Sequence, residues 1–111
     1  MNISIKATHL DLTNSLKAYV EEKIGHLDKY ISATEAKVEL QREPHHHSGL
    51  VFRAEVNVVA GGKVLRAEVS SEDIYSAVDL VVPKLKEQIA KFKDKKTTLR
   101  RKGARQAKGK L

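Results

Sequence analysis

Three segments between residues 36 and 69 alternate apolar and polar side chains, and this alternation constrains the fold more than any other feature of the sequence. A period of two places every second side chain on the same face of a β-strand. The apolar positions are Ala36, Val38 and Leu40, then Leu50, Phe52, Ala54, Val56 and Val58, and finally Leu65, Ala67 and Val69. The sequence therefore predicts three strands of a sheet that has one apolar face.

The connections between these strands differ in kind. The last two strands are joined by "AGGK", in which Gly61 and Gly62 can adopt the positive φ angles of a two-residue hairpin turn. We therefore expect these two strands to pair in antiparallel fashion. The first two are joined by a longer loop, "EPHHHSG", with the turn-forming residues Pro44 and Gly49.

A further strand and a helix precede these segments. Alternation of Ile3, Ile5 and Ala7 with polar residues predicts a short strand with one buried face. Thr13 is a candidate N-cap for the helix that follows. The apolar residues of this helix recur every three or four positions, with Tyr19 and Tyr30 at the margin of the stripe: Leu16, Val20, Ile24, Leu27 and Ile31.

The last helix is the longest predicted element. Ser70 or Ser71 can cap it, and its apolar stripe consists of Ile74, Val78, Val81 or Val82, Leu85, Ile89 and Phe92. Pro83 lies on the side opposite the stripe, where water can satisfy the carbonyl that it frees. We expect a continuous, kinked helix, with a break and a new start at Pro83 as the alternative.

The order β-α-β-β-β-α predicts the fold class. Both helices need an apolar partner and the sheet offers one apolar face, so we expect an α+β two-layer sandwich, a four-stranded sheet with two helices on one face. A double-stranded RNA-binding domain has a related order of elements. Residues 1–96 should form the domain, and residues 97–111 should form a disordered basic tail because they have almost no apolar content.

Charge is distributed unevenly along the chain. Residues 1–72 have nine basic and ten acidic side chains, whereas residues 73–111 have twelve and four, a net charge of +8. A field concentrated at one end suits a polyanionic partner, although it would also serve solubility alone.

The absence of cysteine excludes disulfides and thiolate metal sites, and no apolar run suggests a signal peptide or a membrane span. We therefore expect a cytoplasmic protein with no membrane partner.

Signals for catalysis are sparse. The sequence has no phosphate-binding glycine loop and no metalloprotease or serine hydrolase motif, so we expect no enzymatic activity, cofactor, metal or small-molecule substrate. His45, His46 and His47 are interpreted as an incidental loop, with a loose metal site and a pH-dependent contact as alternatives. The outward side of the sheet has mixed charge and no aromatic residue, which indicates cross-strand ion pairs and not base stacking.

The lysines of the helices are arranged with respect to the apolar stripes. On the last helix, Lys84, Lys91 and Lys95 lie on one flank of the stripe, and Lys86 and Lys93 lie on the other. Lys23 lies beside the stripe of the first helix, with Lys17 and Lys29 further round. If the helices pack side by side, one flank of each borders a shared groove in which a phosphate backbone could lie. A plain solvated surface is the alternative.

Two stretches of the sequence resemble a known family. "MNISIKATHLDLTNSLKAYVEEKIGHLDKYI" and "SSEDIYSAVDLVVPKLKEQIAKFKDK" are similar to the most recognisable blocks of the bacterial ribosome hibernation promoting factor and ribosome-associated inhibitor A family. The resemblance covers about residues 1–96. The matched positions of the second block are Glu72, Asp73, Tyr75, Ala77, Asp79, Lys84, Leu85, Gln88, Lys91 and Lys93.

The resemblance implies a function and a partner. It implies a domain, monomeric off the ribosome, that binds the small ribosomal subunit and its ribosomal RNA in the messenger and transfer RNA channel. There it would inhibit translation in stationary phase or stress. It also implies RNA-binding roles for basic residues of both helices, namely Lys84, Lys91 and Lys93, and by extension Lys23, Lys29, Lys86, Lys95 and Lys96.

Some features of the sequence depart from the resemblance. Pro83 stands where the family more often has Asp or Asn, and residues 97–111 are basic, whereas ribosome-associated inhibitor A has an acidic extension. Promotion and prevention of ribosome dimerisation therefore both stay open. The acidic turn "SSEDIY" also argues against duplex binding in the manner of a double-stranded RNA-binding domain. A module that modulates a transcription sigma factor is the alternative function.

Overall fold

The computed structural model describes the backbone of residues 1–44 and 49–109 and the side chains of residues 1–44 and 49–93. The order of elements is the predicted one, β-α-β-β-β-α. The elements are strand β1 (Asn2–Thr8), helix α1 (Asn14–Gly25), strands β2 (Glu35–Arg42), β3 (Phe52–Ala60) and β4 (Lys63–Ser71), and helix α2 (Ile74–Gly109).

The four strands form one mixed sheet in the order β1-β2-β3-β4. Strands β1 and β2 are parallel, which requires a crossover connection, and α1 supplies it. Strands β2, β3 and β4 are antiparallel neighbours. Gly61 and Gly62 form the turn between β3 and β4 with φ angles of 56° and 77°, which confirms the predicted hairpin.

Both helices cover the same face of the sheet. Helix α2 lies across β3 and β4, and α1 contacts β1 and α2. The inward side chains of the three antiparallel strands are buried beneath the helices: Ala36, Val38, Leu40, Ala54, Val56, Val58, Leu65, Ala67 and Val69. The α+β two-layer sandwich is therefore confirmed, whereas the likeness to a double-stranded RNA-binding domain stays a prediction.

Helix α1 begins and packs as the sequence predicts, but it ends earlier. The amide of Leu16 donates to the Thr13 side chain at 3.1 Å, which confirms Thr13 as the N-cap. After Gly25 the chain tightens into a 3₁₀ turn, His26–Lys29, and the amide of Ile31 donates to the carbonyl of Leu27. This turn keeps both Leu27 and Ile31 buried, so the whole apolar stripe contributes to the core.

The start of helix α2 corrects one prediction. The cap is Asp73, whose carboxylate accepts from the amide of Ser76 at 3.0 Å, and not Ser70 or Ser71. Those two serines belong to strand β4, where pairing with β3 keeps the backbone extended until Ser71. Asp73 lies outside the strand and immediately before Ile74, so its side chain can accept from the first turn of the helix.

Helix α2 continues through Pro83, which is exposed, so the alternative of a break at this residue is wrong. Val81 is fully buried and Val82 only partly, which settles the choice between them.

The helix extends to Gly109, past residue 96, and no side chain beyond Lys93 is described. The division at residue 96 and the role of residues 97–111 stay predictions. Neither helix carries, within the described residues, an apolar run of the length that a membrane crossing requires.

Candidate nucleic-acid interface

The two helices are joined by a tyrosine and an aspartate. The Tyr19 hydroxyl of α1 donates a hydrogen bond to the Asp79 carboxylate of α2. The Tyr19 ring also packs edge-to-face on Tyr75, with 5.0 Å between the ring centroids. The hydrogen bond to Asp79, together with burial and the negative charge of Asp79, raises the pKa of Tyr19 to about 12. The phenol therefore remains a hydrogen-bond donor at neutral pH and links the helices across the groove between them.

Two lysines lie over tyrosine rings along this interhelical groove. The Lys23 ammonium is 5.4 Å from the ring centroid of Tyr19, and the Lys86 ammonium is 4.9 Å from that of Tyr30. Both distances lie within the range of about 6 Å in which a ring attracts a cation. A tyrosine, unlike a carboxylate, orients a lysine without neutralising it. Lys23 and Lys86 therefore present their charge at the groove.

The other flank of α2 faces a different part of the molecule. The Lys84 ammonium donates to the backbone carbonyl of Glu68 at 3.3 Å, so Lys84 lies at the β4 edge and not in the groove. Lys91 is exposed and lies two helical turns after Lys84, on the same flank. The sequence-predicted residues are thus divided between two surfaces, the interhelical groove and the flank of α2 that borders β4.

A cleft lies at the far end of the groove. It has a volume of about 370 Å³ and is bounded by the 3₁₀ turn, the β3–β4 turn and α2. Lys29 of the 3₁₀ turn and Lys93 of α2 line it, together with Tyr30 and Phe92. The groove side therefore brings together Lys23, Lys29, Lys86 and Lys93.

The ion pairs of the described side chains do not involve these lysines. Among the described side chains, none of the six predicted lysines forms an ion pair with a carboxylate: Lys23, Lys29, Lys84, Lys86, Lys91 and Lys93. Lys95 and Lys96 lie outside the described side chains. His45, His46 and His47 also lie outside the described residues. These lysines are therefore available to an anionic partner without first breaking an ion pair among the described side chains.

The outer face of the sheet has the opposite character. Arg53 contacts Glu55 at 2.5 Å and Glu68 at 2.6 Å, and Arg66 contacts the same two glutamates at 3.1 and 3.5 Å. The hydrogen bond from Arg53 lowers the pKa of Glu68 below its usual value, and the same contact raises the pKa of Arg53. The predicted cross-strand pairs are confirmed, and these charges are largely satisfied within the protein.

The groove also contains residues to which the sequence reasoning assigned no role. Tyr75 and Asp79 join Tyr19 in the interhelical contact. A signal was present, because Tyr75, Asp79, Lys86 and Lys93 fall on one side of a helical wheel. The wheel alone could not show that this side faces α1.

The fold and the groove define a class: a four-stranded α+β sandwich with two helices that present a cationic surface. The chain belongs to the Sigma 54 modulation protein / S30EA ribosomal protein family, whose model matches residues 3–97. The predicted family is thereby confirmed.

Individual relatives agree with this membership. The chain is 36% identical over 96 residues to a ribosome hibernation promotion factor of Lactococcus lactis, an alignment that covers 84% of this chain and 50% of the relative. It is 42% identical over 80 residues to a ribosome hibernation promoting factor of Acidithiobacillus ferridurans, covering 71% of this chain and 100% of the relative.

A solved structure gives the same fold. The N-terminal domain of Protein Y from Thermus thermophilus superposes with a TM-score of 0.69 at 33% identity, covering 83% of this chain and 99% of that domain. The chain spans about half the length of the Lactococcus relative. The similarity to that relative therefore concerns one part of a longer protein.

Proposed function

We propose that this protein is a ribosome hibernation factor. It binds the small ribosomal subunit in the messenger and transfer RNA channel, and it inhibits translation in stationary phase or stress. The observation that carries the proposal is the set of lysines without ion-pair partners on the helical face, together with the names of the relatives. The mechanism is steric occlusion of the channel, with lysines anchored on ribosomal RNA phosphates.

The surface for this role is the helical face of the sandwich. Lys23 and Lys86 on their tyrosine rings, with Lys29 and Lys93 at the cleft, form a row of cations between the helices. A sugar–phosphate backbone that follows the groove would contact these ammonium groups in succession. Lys84 and Lys91 would contact a second RNA segment beside β4, because they face away from the groove. Lys95 and Lys96 complete the proposed set, and the site is proposed to act in the cytoplasm.

Residues 97–111 have a separate proposed role. Their side chains include six of the chain's 21 basic residues, and we propose that they act as a nonspecific tether to phosphate. Removal of these residues should weaken binding mainly at low salt, because such attraction is screened within about 10 Å at 0.1 M ionic strength.

Sedimentation with purified small subunits tests the proposed function. In a sucrose gradient at moderate salt, the protein should travel with the small subunits, and its affinity should fall linearly on a log–log plot against salt. Absence from the small-subunit fractions would overturn the proposal. A salt-insensitive complex with a sigma factor, and no binding to subunits, would favour the sigma-modulation alternative instead.

A further inference from the structure

The cleft at the end of the groove has an aromatic wall that phosphate anchoring does not use. Tyr30 is 42% exposed although its ring is a large apolar surface. Phe92 is partly buried against the core and lines the same cleft. An exposed tyrosine beside a second ring is a surface on which a planar group can stack.

The β3–β4 turn brings the backbone close to this wall. Gly61 has a φ of 56°, and a Cβ atom at this position would lie 3.7 Å from the Phe92 ring. The turn therefore lies within van der Waals range of the Phe92 ring and forms one side of the cleft. A volume of about 370 Å³ is near the lower end of the range of about 300–1,000 Å³ for small-ligand sites, so it suits one nucleotide.

The charges at the rim favour an anion with a planar part. Lys29 and Lys93 line the cleft, and the Lys86 ammonium lies 4.9 Å from the Tyr30 ring centroid. The acidic residue at the rim, Asp28, is 3.8 Å from the N-terminal ammonium, which offsets its charge. A base that enters beside Tyr30 would thus place its own phosphate within the field of two or three lysines.

We infer that this cleft binds one unpaired nucleobase of an RNA strand, stacked on Tyr30 and bordered by Phe92, with the adjacent phosphates held by Lys29 and Lys93. The inference rests on the proposed function, which supplies RNA as the partner. It adds to that function a contact with a base. The stacking would be tolerant of base identity, because every base has an aromatic face.

A pair of short RNA strands tests this inference directly. A labelled five-nucleotide single-stranded RNA is compared with the same strand carrying an abasic site at its centre, which retains all of the phosphates. Wild-type protein should bind the strand with the base roughly tenfold more tightly, as expected for one stacking contact. Tyr30→Ala should remove this difference, and Tyr30→Phe, which keeps the ring, should retain it.

A lysine variant separates stacking from phosphate attraction. Lys93→Ala should weaken both strands by the same factor, because both have the same phosphates. Circular dichroism establishes that the variants are folded, and exposure of Tyr30 and Lys93 makes a loss of fold unexpected.

The inference is overturned if wild-type protein binds the two strands equally, or if Tyr30→Ala still prefers the strand with the base. Failure of the proposed function would show separately, as absence of wild-type protein from small-subunit fractions. The two failures are thus distinguishable, because the short strands require no ribosome.

Discussion

Both faces of the sandwich carry basic side chains, but these side chains have different partners. On the sheet face, Arg53 and Arg66 are held between Glu55 and Glu68. On the helical face, Lys23 and Lys86 lie over tyrosine rings. On the sheet face the positive charges are paired with carboxylates of the same protein. On the helical face the positive charges lie over neutral rings and can contact an anion. Position relative to carboxylates therefore distinguishes the sheet face from the helical face that we propose as the binding surface.

Reversing lysine charges on the helical face and on the sheet face should give the largest difference in affinity for small subunits. The double variant Lys86→Glu, Lys93→Glu should lower the affinity for small subunits by about 100-fold at moderate salt, and it should reduce the salt dependence, because two phosphate contacts are lost. Sedimentation or fluorescence titration across a salt series measures both quantities. The double variant Lys84→Glu, Lys91→Glu tests whether the flank of α2 beside β4 also contacts RNA.

The matched control is Lys6→Glu, Lys37→Glu. These two lysines are exposed on the outer face of the sheet, and their reversal gives the same change in net charge. Its affinity should stay within a few-fold of wild type at moderate salt, where long-range attraction is screened. An equal loss of affinity in the control would contradict a localised site and indicate attraction by net charge alone.

The free energy of unfolding should depend more on the sheet face than on the helical face. Arg53→Ala should lower the free energy of unfolding by about 1–2 kcal/mol, because Glu55 and Glu68 lie directly opposite in the β3–β4 register and lose a shared partner. Lys93→Ala, on the helical face, should change it by less than about 0.5 kcal/mol. Urea denaturation measures both. Equal effects would show that the sheet network contributes no more than exposed charges usually do.

Much of this comparison could be predicted from the sequence, and one decisive part could not. Alternation and helical periodicity predicted the strands, the buried stripes and the two lysine flanks of α2. They could not predict which flank faces α1, because that depends on the side of α2 on which α1 packs in the folded protein. Tertiary packing placed Lys86 over Tyr30 and Lys84 at β4. The cap at Asp73 was missed for a similar reason, since strand pairing extends to Ser71.

Low pH should weaken the ion pairs on the outer face of the sheet. The pKa of Glu68 is lowered in the folded protein by Arg53, so its contribution to stability is present above the unfolded value of about 4.5. That contribution is lost as pH falls through the lower, folded-state value. Glu68→Gln should therefore flatten the dependence of unfolding free energy on pH below about 4.5, by well under 1 kcal/mol because the side chain is 43% exposed. An unchanged acid profile would contradict this role of Glu68.

High pH should instead weaken the hydrogen bond that joins the two helices. The pKa of Tyr19 is raised to about 12, so the neutral phenol is favoured in the folded state and its stabilisation is complete below the unfolded value of 10. It is lost as pH rises from about 10 through 12, where the phenolate would face the Asp79 carboxylate. Tyr19→Phe should cost less than about 1 kcal/mol at neutral pH, since the hydrogen bond is near solvent. It should also remove the alkaline loss that this tyrosine causes.

Tyr75→Phe is the matched control, because it retains the ring that packs on Tyr19 and removes a hydroxyl that does not bind Asp79 in the structure. Its alkaline profile should follow that of wild type. Tyrosine absorbance titration, combined with urea denaturation at each pH, measures the pKa and the stability together. If Tyr19→Phe retained the wild-type alkaline profile, the link between the helices would not depend on this hydrogen bond. The spacing of Lys23 and Lys86 would then be set by core packing alone.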